Sequence, residues 1–267
     1  MPGPTHFVFI PGYSSRDLDR ARFLAQTLRL AMIDAKMILA AATPRRVGSF
    51  VRRGDAEQMI RDLGKAGLKG FLVAKDEFAA KPFVARARGL EFREDSIAFA
   101  PVEFEGGVPE TRGRPELVLP RGAVRAMVLG QIIENKARAV VEEKWIETTY
   151  TSRGEGLLHI HWEQAGGFLE LRHTTFDYAC LAGAARDMSG GRNFLTLVDA
   201  LRKFYAGARF DDTLFQRPGD SEIITSVFPV DWAVGPSMAG AVTARQSATN
   251  EPVMIVAARV VAKALVS

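Results

Sequence analysis

The sequence has little of the chemistry on which common catalytic sites depend. Its 267 residues include a single cysteine, Cys180, so no internal disulfide can form. A thiolate nucleophile needs a base or a cation beside it, and only Arg172 and Arg186 lie close in sequence. Neither of the glycine-rich motifs that cradle phosphates is present. We therefore predict no catalytic residue, no cofactor and no metal.

Leader-like segments and long apolar runs are also absent. The first residues lack a basic region followed by an apolar run, so we expect no signal peptide. The apolar stretch 253–266 contains Arg259 and Lys263 and is too short to span a bilayer. With 47% apolar and 25% charged residues, the composition is that of an ordinary globular protein. We expect a cytoplasmic protein.

The positive charge is concentrated in the first third of the chain. Residues 1–80 contain 13 Lys and Arg against 8 Asp and Glu, whereas residues 81–267 contain 22 against 23. The whole excess of +4 therefore comes from the first part. Such a bias favours an anionic partner, although a charge of this size also serves solubility alone.

The first 80 residues alternate strand and helix patterns in the order βαββαβ. The predicted elements are a strand at His6–Ile10, a helix that begins at Ser14, strands near 35–42 and 45–53, a helix that ends at Gly67, and a strand at Phe71–Ala74. This order is typical of an α+β ferredoxin-like domain, in which two helices cover one face of a four-stranded antiparallel sheet. The other face would be left open for a second domain, a second subunit or a partner.

The predicted third strand carries the candidate binding residues. If Val47 faces the helices, then Arg46, Phe50 and Arg52 face outward. An outward aromatic ring between arginines could stack on a base while the arginines hold phosphates. The alternative is that Phe50 packs against the second domain or a second subunit.

The RNA-recognition domain has the same element order and uses aromatic residues on this strand. Its motif places aromatic side chains where this sequence has Gly48 and Arg53, so the resemblance stops at the topology. The chain is not assigned to that family.

The second part of the chain is rich in strand patterns and ends in an amphipathic helix. Predicted strands cover 90–93, 96–104, 115–119, 124–133, 145–150, 157–163 and 168–178. The helix, capped by Ser189 or Asn193, carries Phe194 and Leu197 on one face. Residues 90–208 thus resemble a pleckstrin-homology-like antiparallel roll closed by a helix, which implies a lipid, peptide or protein ligand. Residues 209–267 are expected to form an irregular segment and a C-terminal helix packed on this domain.

Three histidines in one predicted hairpin raise the question of a metal site. His159, His161 and His173 would converge only if the hairpin had a three-residue loop. A two-residue loop instead pairs Ile160 with Leu171 and keeps the apolar face intact, and burial specifies strand register strongly. This register places His173 on the opposite face, so we reject a metal site and expect solvent-facing histidines.

One further segment, around Ser237, resembles the nucleophile elbow of α/β-hydrolases. That motif requires glycine where the chain has Ala239, and no histidine follows Ser237 to complete a triad. We therefore reject a hydrolase assignment.

Taken together, the sequence favours a non-catalytic binding or regulatory protein. Its partner would be another protein or a second copy of the chain, reached through the open face of the N-terminal sheet or through the roll. The alternative is a nucleic-acid-binding protein that uses Arg45, Arg46, Phe50, Arg52 and Arg53. An enzyme of unrecognised class would instead show a deep pocket with converging titratable groups.

Overall fold

The structure is a computed structural model of the chain. It describes residues 3–13, 17–79, 84–100, 102–105, 116–142, 145–162, 168–181, 187–226, 233–234, 238–240 and 243–266. Over these ranges the chain forms three β-sheets and eight α-helices, which confirms the α+β class.

The described residues form fifteen strands. In chain order they are β1 His6–Ile10, β2 Arg45–Phe50, β3 Phe71–Ala74, β4 Val84–Ala87, β5 Leu90–Phe92, β6 Ser96–Phe99, β7 Val102–Glu105, β8 Leu117–Pro120, β9 Val124–Glu142, β10 Trp145–Trp162, β11 Phe168–Arg172, β12 Arg209–Asp211, β13 Ala233–Val234, β14 Met238–Gly240 and β15 Thr243–Thr249.

The helices differ widely in length. They are α1 Leu18–Leu28, α2 Met32–Leu39, α3 Arg53–Lys65, α4 Lys75–Ala79, α5 Gly190–Phe204, α6 Thr213–Gln216, α7 Asp220–Thr225 and α8 Glu251–Val266. None of these described helices is both long and apolar enough to cross a membrane.

The N-terminal sheet has three strands in the order β2-β1-β3, and both outer strands run antiparallel to β1. The strand predicted near 35–42 is wrong, because most of this segment belongs to helix α2. Ala35 and Leu39 are buried with a spacing of four residues, as on one side of a helix. A short apolar run does not distinguish strand from helix by its period. The predicted four-stranded βαββαβ order therefore does not describe this sheet.

The predicted open face of this sheet is covered by the chain's own C-terminal helix. Val8 and Ile10 of β1 pack with α1, α2 and α3, whereas Phe7 and Phe9 point the other way. These two phenylalanines join a buried cluster with residues of α8 and of β9. The sheet thus lies between helices on both sides.

The second sheet is large and mixed. Its main strand order is β13-β15-β9-β10-β11-β4-β7, with β12 beside β9 and β14 beside β15. Two pairs, β11 with β4 and β12 with β9, are parallel. The prediction of a purely antiparallel roll is therefore wrong. The predicted amphipathic helix is present as α5, which packs Phe194 and Leu197 in one core with Leu158 and Ile160.

The segment predicted to be irregular, 209–249, supplies strands and helices wherever the structure describes it. β12 and β15 both pair with β9, so they extend the large sheet. The strands predicted at 145–150 and 157–163 are one continuous strand, β10, because its polar middle pairs residue by residue with β9. Strands β12 and β15 thus form through pairing with β9, which lies far from them in the sequence.

Helix α8 is fastened at both ends by charged groups. Near its start, Glu251 accepts a hydrogen bond from Arg172 of β11. Near its end, Lys263 Nζ lies 2.6 Å from the carboxylate of Glu77, and Arg259 Nη2 donates to the Glu77 carbonyl at 2.8 Å. Between these ends the helix is buried on most sides. Its start therefore connects to the large sheet, and its end connects to α4, the helix that follows β3 of the N-terminal sheet.

Close packing of α5 on β10 depends on a glycine. A Cβ at Gly156 would lie 2.8 Å from the ring of Phe194, so we expect Gly156→Val to lower the free energy of unfolding by about 1 to 3 kcal/mol. Gly64→Ala is the control, because it lies in α3 with open space around its Cβ position, and a helical Gly→Ala change costs nothing. Urea unfolding measures both. Equal stabilities of the two variants would contradict the packing argument.

Candidate functional site

The predicted binding residues of β2 do not share one face of the sheet. A β-bulge opposite the step from Val8 to Phe9 gives β2 one extra residue, which reverses the alternation of faces. Arg46 pairs with Phe9, on the side of α8, whereas Phe50 packs partly buried on the side of α1–α3. The outward orientation predicted for Phe50 is therefore wrong. Arg52 lies beyond the strand, just before α3, so the predicted strand over 45–53 ends early.

Most of the arginines in this region are already paired with carboxylates. The pairs are Arg45 with Asp220, Arg52 with Asp55 and Arg53 with Glu57, at N–O distances of 3.7, 3.0 and 2.8 Å. Arg46 is exposed and forms no ion pair with any residue that the structure describes. Compensated charges attract phosphates weakly, so this geometry does not favour a nucleic-acid surface.

The hairpin of β10 and β11 has a register that differs from both predicted ones. His159 pairs with Glu170 and Leu158 with Leu171, a shift of two residues from the favoured register. A shift of two keeps every side chain on its predicted face. His173 contacts Phe194 of α5, so it lies on the opposite side from His159 and the three histidines do not converge.

The prediction of solvent-facing histidines is wrong. His159 is completely buried, and the Nε2 atom of His161 is buried as well. The ring of His159 stacks on Phe168 at 4.1 Å. Helix α8 covers this face of the sheet, which the local sequence pattern did not indicate. Among the described residues, no three His, Cys, Asp or Glu side chains are grouped as metal ligands.

A buried network of charges lies beside these histidines. The carboxylate of Glu170 is fully buried and accepts from Arg86 Nε at 2.7 Å and from Arg172 Nε at 2.6 Å. Its second oxygen lies 3.3 Å from His159 Nε2. Glu251 of α8 binds Arg172 and lies 3.6 Å from Arg86. Two arginines thus balance two glutamates and join strands β4, β10 and β11 to α8.

The network shifts the pKa values of its members. Burial alone would raise the pKa of Glu170, but the hydrogen bond with His159 and the charge of Arg172 hold it well below its usual range. Burial lowers the pKa of His159, although Glu170 opposes this shift. Burial, with the charges of His159 and Arg259, lowers the pKa of His161 to about 3. At neutral pH both histidines are therefore uncharged and Glu170 is ionised.

Two cavities open at the surface, the first beside the small sheet β5-β6-β8 and the second on the large sheet. One, of about 260 Å³, is lined by Cys180 and Asp177, and burial raises the pKa of the Cys180 thiol. A protonated thiol is a poor nucleophile. The other cavity, of about 240 Å³, lies beside the start of α8 and is lined by charged side chains of β9, β10 and β11. We call it the hairpin cavity.

The most exposed apolar surface of the N-terminal unit lies on and just before α2. We call it the α2 face and define it by Leu30, Met32, Ile33 and Met37, which are 36%, 38%, 64% and 60% exposed. Ile33 and Met37 are four residues apart, so they lie side by side on the helix. Ala35 and Leu39 are buried on its other side. A helix with apolar residues on both sides is unusual at a protein surface, so the α2 face is a candidate interaction site.

Two cations flank the α2 face. Arg29 is exposed and Lys36 is half-buried, and within the described part of the chain neither forms an ion pair. Asp34 is the one acidic residue of α2. The surface therefore has an apolar centre and a weakly positive surround.

Sequence reasoning missed the α2 face, because it interpreted much of this segment as a buried strand. The run Leu30-Ala31-Met32-Ile33 followed by Met37 contains more apolar residues than a strand or a half-buried helix needs. This excess of apolar residues was the feature of the sequence that could have indicated an exposed apolar surface. Comparison with known proteins does not assign the site, since no family model, no curated protein and no solved structure is significantly similar to this chain.

Proposed function

We propose that this chain is a protein-binding module whose docking surface is the α2 face. The observation that carries the proposal is the exposure of Ile33 and Met37, 64% and 60%, at adjacent positions of one helix. Leaving such side chains in water costs about 1.5 to 3 kcal/mol each relative to burial, and an interface recovers this free energy.

The partner fits best as a protein segment with apolar anchor residues and carboxylates around them. Methionines suit such a surface, because their flexible side chains adapt to the shape of a partner. Arg29 and Lys36 would pair with the partner's acidic groups, in keeping with the net charge of +5 over residues 1–80. The apolar centre supplies affinity, and the cations select the sign of the partner's charge.

Two other occupants are less well supported. A membrane surface is normally bound by a helix whose polar face is rich in lysine and arginine, whereas α2 has Lys36 as its one cation and buries Ala35 and Leu39 on its other side. A second copy of the chain would carry the same positive surround, so like charges would meet across much of the contact. The positive charges around the face therefore favour a different, acidic protein.

The test uses a synthetic acidic helix as the probe. It carries leucines at positions i, i+3, i+4 and i+7 and glutamates elsewhere, and its controls have lysine for glutamate or a scrambled leucine spacing. With methionine methyl groups labelled with ¹³C, we expect the acidic peptide to shift the NMR signals of Met32 and Met37. The signals of the buried Met127 and Met254 should stay in place.

The matching variants remove the apolar centre without touching the core. Ile33→Ser with Met37→Ser should weaken peptide binding at least tenfold, about 1.4 kcal/mol. Val118→Ser with Leu195→Ser, at exposed apolar sites elsewhere, should not. Fluorescence anisotropy measures the affinity. Preference for the lysine peptide, binding unaffected by the α2 variant, or no binding would overturn the proposal. So would self-association, or vesicle binding, that the α2 variant abolishes.

A further inference from the structure

Two of the four side chains that define the α2 face are methionines. Met32 and Met37 are 38% and 60% exposed, so both side chains are open to small solutes in water. A methionine thioether takes up an oxygen atom from a hydroperoxide, and the product, a sulfoxide, is polar and chiral. Leucine at either position would supply a similar apolar surface without this reactivity.

The other methionines differ in their access to an oxidant. Met127 and Met254 are buried in the cores, and Met59 packs half-buried in the N-terminal unit. Met188 is fully exposed, but it lies just before α5, which packs on the large sheet. A hydroperoxide therefore reaches the methionines of the α2 face without opening any of these cores.

The one thiol of the chain competes weakly for the same oxidant. Cys180 is half-buried, and burial raises the pKa of its thiol. Peroxides react with the thiolate, so a thiol that stays protonated at neutral pH reacts slowly. Among the sulfur atoms that the structure describes, those of the exposed methionines should therefore react first.

Oxidation of the α2 face leaves the fold in place and changes only what the face can bind. Helix α2 is attached through Ala35 and Leu39, which are buried on the side away from Met37. In the free chain a sulfoxide at Met37 is hydrated. In a complex it would lie beside Ile33 in the apolar centre of the contact, where an unpaired hydrogen-bond acceptor is unfavourable.

We infer that Met37, with Met32 as a second and less exposed position, is an oxidation site that switches docking off. The oxidant is a hydroperoxide. Its O–O bond breaks, an S–O bond forms, and the sulfur gives up two electrons. The second oxygen of the hydroperoxide leaves with the proton as water or an alcohol. Enzymatic reduction of the sulfoxide, with a dithiol as the electron donor, restores the thioether and releases water. This inference rests on the proposed docking function.

The experiment treats the full chain with hydrogen peroxide and quantifies each methionine sulfoxide by mass spectrometry of proteolytic peptides. We expect Met37 and Met188 to be oxidised first, Met32 next, and Met127 and Met254 last. The oxidised chain should keep its melting temperature and bind the acidic leucine helix at least tenfold more weakly. Treatment with methionine sulfoxide reductases of both stereospecificities should restore the affinity.

Three variants assign the effect to individual residues. Met32→Leu with Met37→Leu should bind the helix as the unaltered chain does and keep this affinity after peroxide treatment, because leucine has a similar volume and no sulfur. Met37→Leu alone should give most of the protection. Met188→Leu is the control, since it removes an exposed methionine outside the α2 face and should give none.

The outcomes separate this inference from the docking proposal. Binding that survives complete oxidation of Met37, or an equal loss of binding in the double leucine variant, would overturn the oxidation switch alone. The same holds if reduction of the sulfoxides fails to restore binding. If the unoxidised chain does not bind the acidic helix, the docking proposal fails and the switch fails with it.

Discussion

Replacing Glu170 with glutamine is expected to lower the free energy of unfolding by about 3 to 5 kcal/mol, the usual cost of removing one partner from a buried ion pair. The Glu170 carboxylate is fully buried, and it holds Arg86 and Arg172 at 2.7 and 2.6 Å. The amide has no charge to offset these guanidinium groups, which remain partly desolvated. Urea unfolding and the melting temperature measure the loss.

A matched control exists on the same sheet. Glu103 pairs with Arg88, and both side chains are more than half exposed, so Glu103→Gln should cost less than about 1 kcal/mol. If the two glutamine variants were equally stable, Glu251 and solvent would be sufficient partners for Arg86 and Arg172. The network would then have no structural role in attaching α8.

Acidification from pH 8 to pH 5 is expected to destabilise the fold, and His159 and His161 are the cause. Burial lowers the pKa of both side chains below the usual value of 6.5, to about 3 for His161. Below pH 6.5 the unfolded chain binds protons that the folded chain does not, so the free energy of unfolding falls as the pH falls. Each histidine contributes a slope of up to about 1.4 kcal/mol per pH unit.

Glu170 acts in a lower pH range and can be distinguished from the histidines. Its pKa is lowered in the folded state, so its stabilising contribution is complete above about pH 4.5, its usual value, and is lost below it. The slope between pH 6.5 and pH 5 therefore reports the histidines. Melting curves at closely spaced pH values give this slope.

The variant His161→Leu tests the assignment. Nε2 of His161 is buried and accepts no hydrogen bond from a described residue, so an apolar side chain should be tolerated. Between pH 6.5 and pH 5, we expect the slope of the free energy of unfolding against pH to decrease by about 1.4 kcal/mol per pH unit, which corresponds to one proton. The free energy of unfolding at pH 8 should change little. An unchanged slope would mean that His161 takes up a proton in the folded state.

Both predictions arise at the face of the large sheet that α8 covers, which the sequence did not reveal. The alternation of Leu158, His159, Ile160 and His161 correctly divided the strand into two faces. It then placed the histidines in solvent, because polar residues on one face of a strand are usually exposed. Covering that face requires a helix about 90 residues later in the chain, and no local pattern encodes such a contact.

The N-terminal unit shows the same limit at shorter range. A β-bulge, set by pairing with β1, separated Arg46 from Phe50, although strict alternation had placed them together. The segment of α2 was ambiguous, because short apolar runs fit strand and helix equally well. Tertiary packing decides which side of this helix is exposed, because it buries Ala35 and Leu39 on the other side.

The amino-acid sequence by itself determined the elements with a strong internal period. β1, α5 and α8 were expected close to where they lie, since apolar side chains recur in them at strand or helix spacing. Tertiary structure decided which faces became core and which remained exposed. The physical reason is that the burial of a residue depends on its neighbours in space. Both β1 and β10 have α8 as a neighbour, and α8 lies at the opposite end of the chain from β1.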